Sequence, residues 1–154
     1  MDKKLSRFFI FIGISLVIVL IDQFTKWLVR INLALNSRVT LFPGFNIWHV
    51  HNSGAGFSIL SGFTTYLAWI SIIVVGIIIY YYPKIEKDKL VYWLCSIILG
   101  GTVGNLIDRL RLGFVTDFFD LYIKNYHYPT FNVADACISV SALILIFYLW
   151  KNDR

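Results

Sequence analysis

Residues 113–135 read G-F-V-T-D-F-F-D-L-Y-I-K-N-Y-H-Y-P-T-F-N-V-A-D. The stretch carries three carboxylates, Asp117, Asp120 and Asp135, between two strongly apolar segments. A charge buried beside lipid without a partner is expensive, so acids in such a place need either a partner or a task. Whether lipid is in fact the neighbour depends on the flanks. Leu90 to Ile107 precedes the stretch and Val133 to Trp150 closes it, and each is close to the roughly 20 residues that cross a hydrocarbon layer.

Two further segments of that kind lie upstream. Thr64 to Tyr82 holds no charge, and Trp69 and Tyr80-Tyr81-Tyr82 suit the interfacial belts. The chain opens with Lys3, Lys4 and Arg7 before an apolar run from Phe8 to Ile21, which resembles a signal peptide. No small-x-small cleavage site follows, and the run continues into D-Q-F-T-K-W-L-V, so one retained helix is expected from about Ser6 to Val29. Spans are thus expected at about 6–29, 64–82, 90–107 and 133–150, in one polytopic domain covering 1–154.

Composition agrees. The chain is 58% hydrophobic and 15% charged, with mean hydropathy +0.69, whereas soluble domains are roughly 45–50% apolar and about 25% charged. The net charge of +5 does not form a nucleic-acid patch, because the basic residues gather at segment ends, where headgroups lie. Lys3, Lys4, Arg7, Lys84, Lys87, Lys89, Lys151 and Arg154 fall in short segments on one side. The remaining Lys and Arg are spread over longer segments on the other. The positive-inside tendency then puts both termini in the cytoplasm and 113–135 at the outer face. Cys95 and Cys137 sit inside apolar segments without a C-x-x-C, so they read as packing residues rather than a disulfide or zinc site.

Between the first two spans, Pro43-Gly44 marks a turn, and Phe45 to Val50 is rich in aromatic and β-branched residues. Val39 to Phe42 can pair with it. The expected fold class is therefore an all-α membrane fold, a four-helix transmembrane bundle with a small extracytoplasmic β-sheet.

Two carboxyls sharing one proton can hydrolyse a peptide bond. The ionised one takes a proton from the attacking water, and the other donates to the carbonyl oxygen. Asp117 and Asp135 are candidates, with Pro129 between them to help the chain fold back. Spacing alone leaves a plainer reading open, in which both are helix-end acids and Asp135 simply suits the first turn of its helix. Asp120, three residues past Asp117, reads as an interfacial cap close to water.

In G-G-T-V-G-N-L-I-D-R from Gly100, the glycines make a small-xxx-small pair for close helix packing. No P-loop Lys-Ser/Thr follows, so it is not a nucleotide loop. Asn105, Asp108 and Arg109 share one helical face. Asp108 reads as part of a polar network, while Asn105 and Arg109 stay open between that and holding a substrate backbone. In H-N-S-G-A-G-F from His51, Asn52 could bind a peptide carbonyl and the glycines allow close approach, or the segment is a plain turn. Asp22 and Lys26, at i and i+4, read as an ion pair tying down a helix end. His49 and His51 read as surface residues. No H-E-x-x-H or G-x-S-x-G occurs. A small transporter or proton relay using the same acids is the rival class, and a membrane scaffold is a third.

Five blocks together resemble the lipoprotein signal peptidase family, also called signal peptidase II. They are D-Q-F-T-K from Asp22, H-N-S-G-A-G-F from His51, G-G-T-V-G-N-L-I-D-R from Gly100, V-T-D-F-F-D from Val115 and F-N-V-A-D from Phe131. Their order and placement among four spans agree over nearly the whole chain. The resemblance implies an aspartic endopeptidase of the bacterial inner or cell membrane that needs no metal or other cofactor. It would cut prolipoproteins before a cysteine bearing diacylglycerol. The catalytic pair falls on Asp117 and Asp135. Other motif residues fall on Asn52, Gly54, Asn105, Arg109 and Asn132, which bind substrate or support the site, and on Asp22, Lys26 and Asp108, which are structural. Inhibition by the cyclic peptide globomycin is implied. The expected partners are the lipid-modified precursor and membrane lipids, with no nucleic acid, and the protein is expected to be a monomer. One departure stands out: the family usually has N-x-G-A-A-F, and here Gly56 replaces the second alanine.

Overall fold

The protein is described here from a computed structural model, which describes residues 3–54 and 64–152. Four helices are long and apolar enough to cross a membrane: α1 (Lys3–Asn32), α2 (Thr64–Ile85), α3 (Lys89–Leu112) and α4 (Val133–Asn152). Each outruns the apolar reading by a few residues, because the helical ladder continues past the hydrocarbon into polar ends such as Lys3, Arg30 and Arg111. The second span, expected to end at Tyr82, runs on through Pro83 to Ile85. Pro83 has no N–H to give, but it lies in the last turn, and Glu86 N–H still reaches Tyr82 O at 2.9 Å. α3 starts on Asp88, whose side chain accepts from the N–H groups of Leu90 and Val91, and stops at Gly113 with φ 78°.

α1, α2 and α4 all pack on α3. The most apolar stretch of α3 is 56% buried, against 17%, 17% and 11% for those of α1, α2 and α4, so α3 is the central helix and the others face outward. Leu16, Leu20, Ile73, Leu143 and Phe147 are exposed on those outer helices, as lipid contact requires. At one end Phe11 meets the rings of Tyr82 and Tyr92 edge-on, and Tyr92 donates its hydroxyl to Arg7 O.

Glycines set the helix spacing. A Cβ on Gly100 would stand 2.6 Å from Ser15 O and 2.7 Å from Ile18 Cβ on α1. A Cβ on Gly101 would stand 2.7 Å from Ala134 O on α4. With no hydrophobic force between helices in lipid, such close backbone contact is what holds them. Gly100→Ala should destabilise the bundle by about 1–3 kcal/mol through overpacking. Gly76→Ala, where a Cβ meets nothing within 4 Å, should be neutral or slightly stabilising. Unfolding in mixed micelles checks both; equal effects would contradict the packing account.

At the other end lies a four-stranded antiparallel sheet in the order β1 (Arg38–Phe42), β2 (Phe45–Asn52), β3 (Val115–Ile123), β4 (Tyr126–His127). The β1–β2 hairpin turns at Pro43-Gly44, with Gly44 at φ 93°. β2 then pairs with β3, Asn46 opposite Asp120 and Val50 opposite Asp117. This pairing joins the two long connections above α3 and places Asp117 beside the N-terminus of α4.

Candidate active site

Asn132 precedes α4 and caps it. Its Oδ1 accepts from the Asp135 N–H at 2.9 Å, and Asp135 Oδ2 accepts from the Asn132 N–H at 3.2 Å. This reciprocal cap is the plainer reading of Asp135, and it holds. It also has a consequence. With Oδ1 committed to the helix, the amide nitrogen of Asn132 points away and donates to Asp117 Oδ1 at 2.7 Å. One asparagine therefore binds both acids.

The other donors are oriented the same way. The Lys26 ammonium donates to Asn105 Oδ1 at 2.8 Å, so Asn105 Nδ2 faces Asp135 Oδ1, at 2.7 Å. Asn52 Oδ1 accepts from Gly54 N–H at 2.9 Å, and its Nδ2 donates to Asp117 Oδ2 at 2.8 Å. Each oxygen of the two carboxylates thus has a nitrogen donor. Asp117 is buried on β3. Burial, and next the charge of Asp135, push its carboxyl up to about 7, against the pull of the Asn52 and Asn132 amides.

Beneath the pair lies a second polar cluster. Asp22 and Lys26, both fully buried, meet at 2.8 Å. They do more than tie down a helix end: Lys26 Nζ also stands 3.4 Å from Asp108 Oδ2, and Asp22 Oδ1 accepts the Ala134 N–H of α4 at 3.0 Å. Asp108 takes Thr116 N–H at 3.1 Å and Gln23 Nε2 at 3.0 Å. Arg30 donates to Thr116 Oγ1 at 3.0 Å. Sequence reading missed Gln23, Arg30 and Thr116. The signal for Arg30 was present, since Asp22, Lys26 and Arg30 recur every four residues.

A cavity of about 450 Å³ opens beside Asp135, lined among others by Asn52, Arg109, Tyr128, Phe131 and Ser139. It runs from the sheet along α4, past Ala136, Ser139 and Val140. Asn52, Gly54, Arg109 and Asp135 line it, while Asn105 and Asn132 stand behind the acids. Part of the H-N-S-G-A-G-F block, from Ala55 to Phe57, lies outside the described residues. Among the described residues no three His, Cys, Asp or Glu side chains group as a metal site.

Two expectations are corrected. Asp120 is not an interfacial cap near water but fully buried, held by Asn46 and His127. His49 is not a surface residue; it is buried, and its Nδ1–H donates to Leu33 O at 2.9 Å. His51 is exposed, as read, and its ring stacks on Phe114.

Comparison with known proteins bears on what the site is for. The family model described as signal peptidase (SPase) II matches residues 14–151. A lipoprotein signal peptidase of Listeria monocytogenes serotype 4a is 40% identical over 143 residues, 92% of this chain and 93% of that one. One from Symbiobacterium thermophilum is 39% identical over 93% of this chain and 95% of its own. One from Acinetobacter baylyi is 38% identical over 97% and 90%. Two solved structures, both described as bacterial membrane enzymes, superpose with TM-scores of 0.86 and 0.81, each at 31% identity. The first covers 93% of this chain and 88% of its own, the second 92% of each.

Proposed function

The chain belongs to the signal peptidase II family, and from that premise we propose that it is an aspartic endopeptidase that frees prolipoproteins of their signal peptides by cutting before a diacylglyceryl-modified cysteine. It is a protease of the membrane, with multiple spans. The observation that carries the proposal is the joint hold of Asn132 on Asp117 and Asp135, of which Asp135 lines a cavity along α4 and Asp117 lies behind it, joined to the lining residue Asn52.

In this reading the pair holds one proton. Lys26, Arg30 and Arg109 are set against Asp22, Asp108 and the pair, so one shared proton makes the cluster neutral. Asp135, at the N-terminus of α4 and facing the Asn105 amide, is the anion; Asp117 carries the proton. Water in the cavity loses a proton to Asp135 as its oxygen attacks the scissile carbonyl carbon. Asp117 gives its proton to the carbonyl oxygen. The resulting diol returns a hydroxyl proton to Asp117 as the C–N bond breaks, and the amine leaves with the proton that Asp135 took from water, which restores the carboxyl product and the one-proton pair. Arg109 and Asn52 line the cavity where the peptide backbone would lie. The four spans form one folding unit that acts as a monomer, with both termini cytoplasmic and the sheet outside. A globomycin-type cyclic peptide competes for the same cavity.

Purified protein in lipid, given a precursor peptide with a diacylglyceryl cysteine, should release a fragment that begins at that cysteine by mass spectrometry. The unlipidated peptide should survive. No cleavage, or cleavage elsewhere, contradicts the reading. The pH dependence follows from Asp117. Its raised carboxyl is protonated below about 7 and ionised above, so kcat should fall as pH rises beyond about 7, approaching tenfold per unit. A rate that climbs through that range would give the proton to a different group.

A further inference from the structure

Asp120 takes no part in the chemistry proposed above, yet it is fully buried and collects a side chain from every other strand of the sheet. From β2, Asn46 Nδ2 donates to Oδ2 at 2.7 Å. From β4, His127 Nδ1–H donates to Oδ1 at 2.7 Å. From β1, Arg38 Nε lies 3.5 Å from Oδ2. Thr40 Oγ1 in turn donates to Asn46 Oδ1 at 2.8 Å, which fixes the direction of that amide.

The contact from β4 matters most, because β4 has little else to hold it. It is two residues long and exposed, with two ladder pairs, Tyr122–His127 and Ile123–Tyr126. Its turn from β3 places Lys124 at φ 54°, a backbone region that suits glycine, so the turn does not favour the hairpin by itself. The chain that follows β4 forms a wall of the cavity, through Tyr128, Pro129, Thr130 and Phe131. That wall is pinned at its far end by Phe131 pairing with Phe119, and at its near end by Tyr128 N–H on Leu121 O and by His127 on Asp120.

We propose that Asp120 is a positioning residue whose bond to His127 sets the 128–131 wall of the cavity, and so the fit of the peptide around the scissile bond. This rests on the peptidase reading of the cavity. The test separates two features of His127, its Nδ1–H and the stacking of its ring on Tyr122. His127→Phe keeps a ring and loses the donor. His127→Asn loses the ring and keeps a donor nitrogen at the place of Nδ1. His127 is a third exposed, so neither change empties a core.

On the diacylglyceryl precursor peptide, His127→Phe should raise KM about three- to tenfold, the worth of one hydrogen bond, with kcat within about twofold of the parent. His127→Asn should return KM to within about twofold of the parent. In the same variants, amide exchange at Tyr128 should quicken in His127→Phe and not in His127→Asn. A parent-like KM in His127→Phe, equal impairment of both variants, or a loss confined to kcat would overturn the proposal. Should the parent itself fail to cut the peptide, the peptidase reading falls, and exchange at Tyr128 still decides whether the clasp holds the wall.

Discussion

Asp117→Asn should leave a protein that inserts and folds but cuts the lipidated precursor at least about 10³-fold more slowly, the loss expected when a proton-transfer group is removed. The amide matches the carboxylate in size and still accepts from one of its two donors, Asn52 or Asn132. What it cannot do is hand over a proton. Asp135→Asn should fall as far for the complementary reason, because an amide cannot take a proton from water. The α4 cap survives that change, since the amide oxygen can still accept from the Asn132 N–H. Initial rates in lipid, beside an unfolding midpoint for each variant, make the comparison. Either variant working at more than a tenth of the parental rate would remove its aspartate from the pair.

Lys26→Met should show the second large effect, this time on stability. The ammonium is fully buried and stands among Asp22, Asp108 and the Asn105 carbonyl. Deleting it leaves Asp22 without a cation and Asp108 with Arg30 alone, at 3.9 Å, a loss of about 3–5 kcal/mol when one partner of a buried pair is removed. Asp22→Asn in the same chain should recover part of that loss by removing one of the stranded charges. Processing should fall further than stability accounts for. Without Lys26 the Asn105 amide is free to turn, and Asp135 loses an oriented donor. Unfolding in mixed micelles measures the first effect, and kcat of the folded fraction the second. A Lys26→Met protein as stable as its parent would mean the cluster is solvated.

The four spans were legible because each is a long apolar run, and a membrane tolerates little else. The β1–β2 hairpin was legible from Pro43-Gly44 between β-branched and aromatic residues. β3 was not read as a strand, although V-T-D-F-F-D-L-Y-I is rich in the right residues. Val115 to Phe118 is buried residue after residue, so the alternation that marks a half-buried strand is absent there. The burial of Asp120 was out of reach for a different reason. Its partner Asn46 is 74 residues away, and Arg38 lies further still, so nothing local distinguishes it from an acid at a wet helix end. Asp22 and Lys26 were visible as a pair because they share a helix face. Their contacts with α3 and with the first turn of α4 depend on tertiary packing. Asp135 was the ambiguous case, with cap and acid as competing readings, and the geometry makes them compatible.

That double duty at the start of α4 has a bearing on biogenesis. Asp135 meets Asn105 of α3, and its neighbour Ala134 is gripped by Asp22 of α1, so the proposed catalytic pair comes together only once the last span has docked. A nascent chain with three spans inserted would be inert towards every peptide around it. On the proposed mechanism, completing its own membrane insertion is what would switch the protein on.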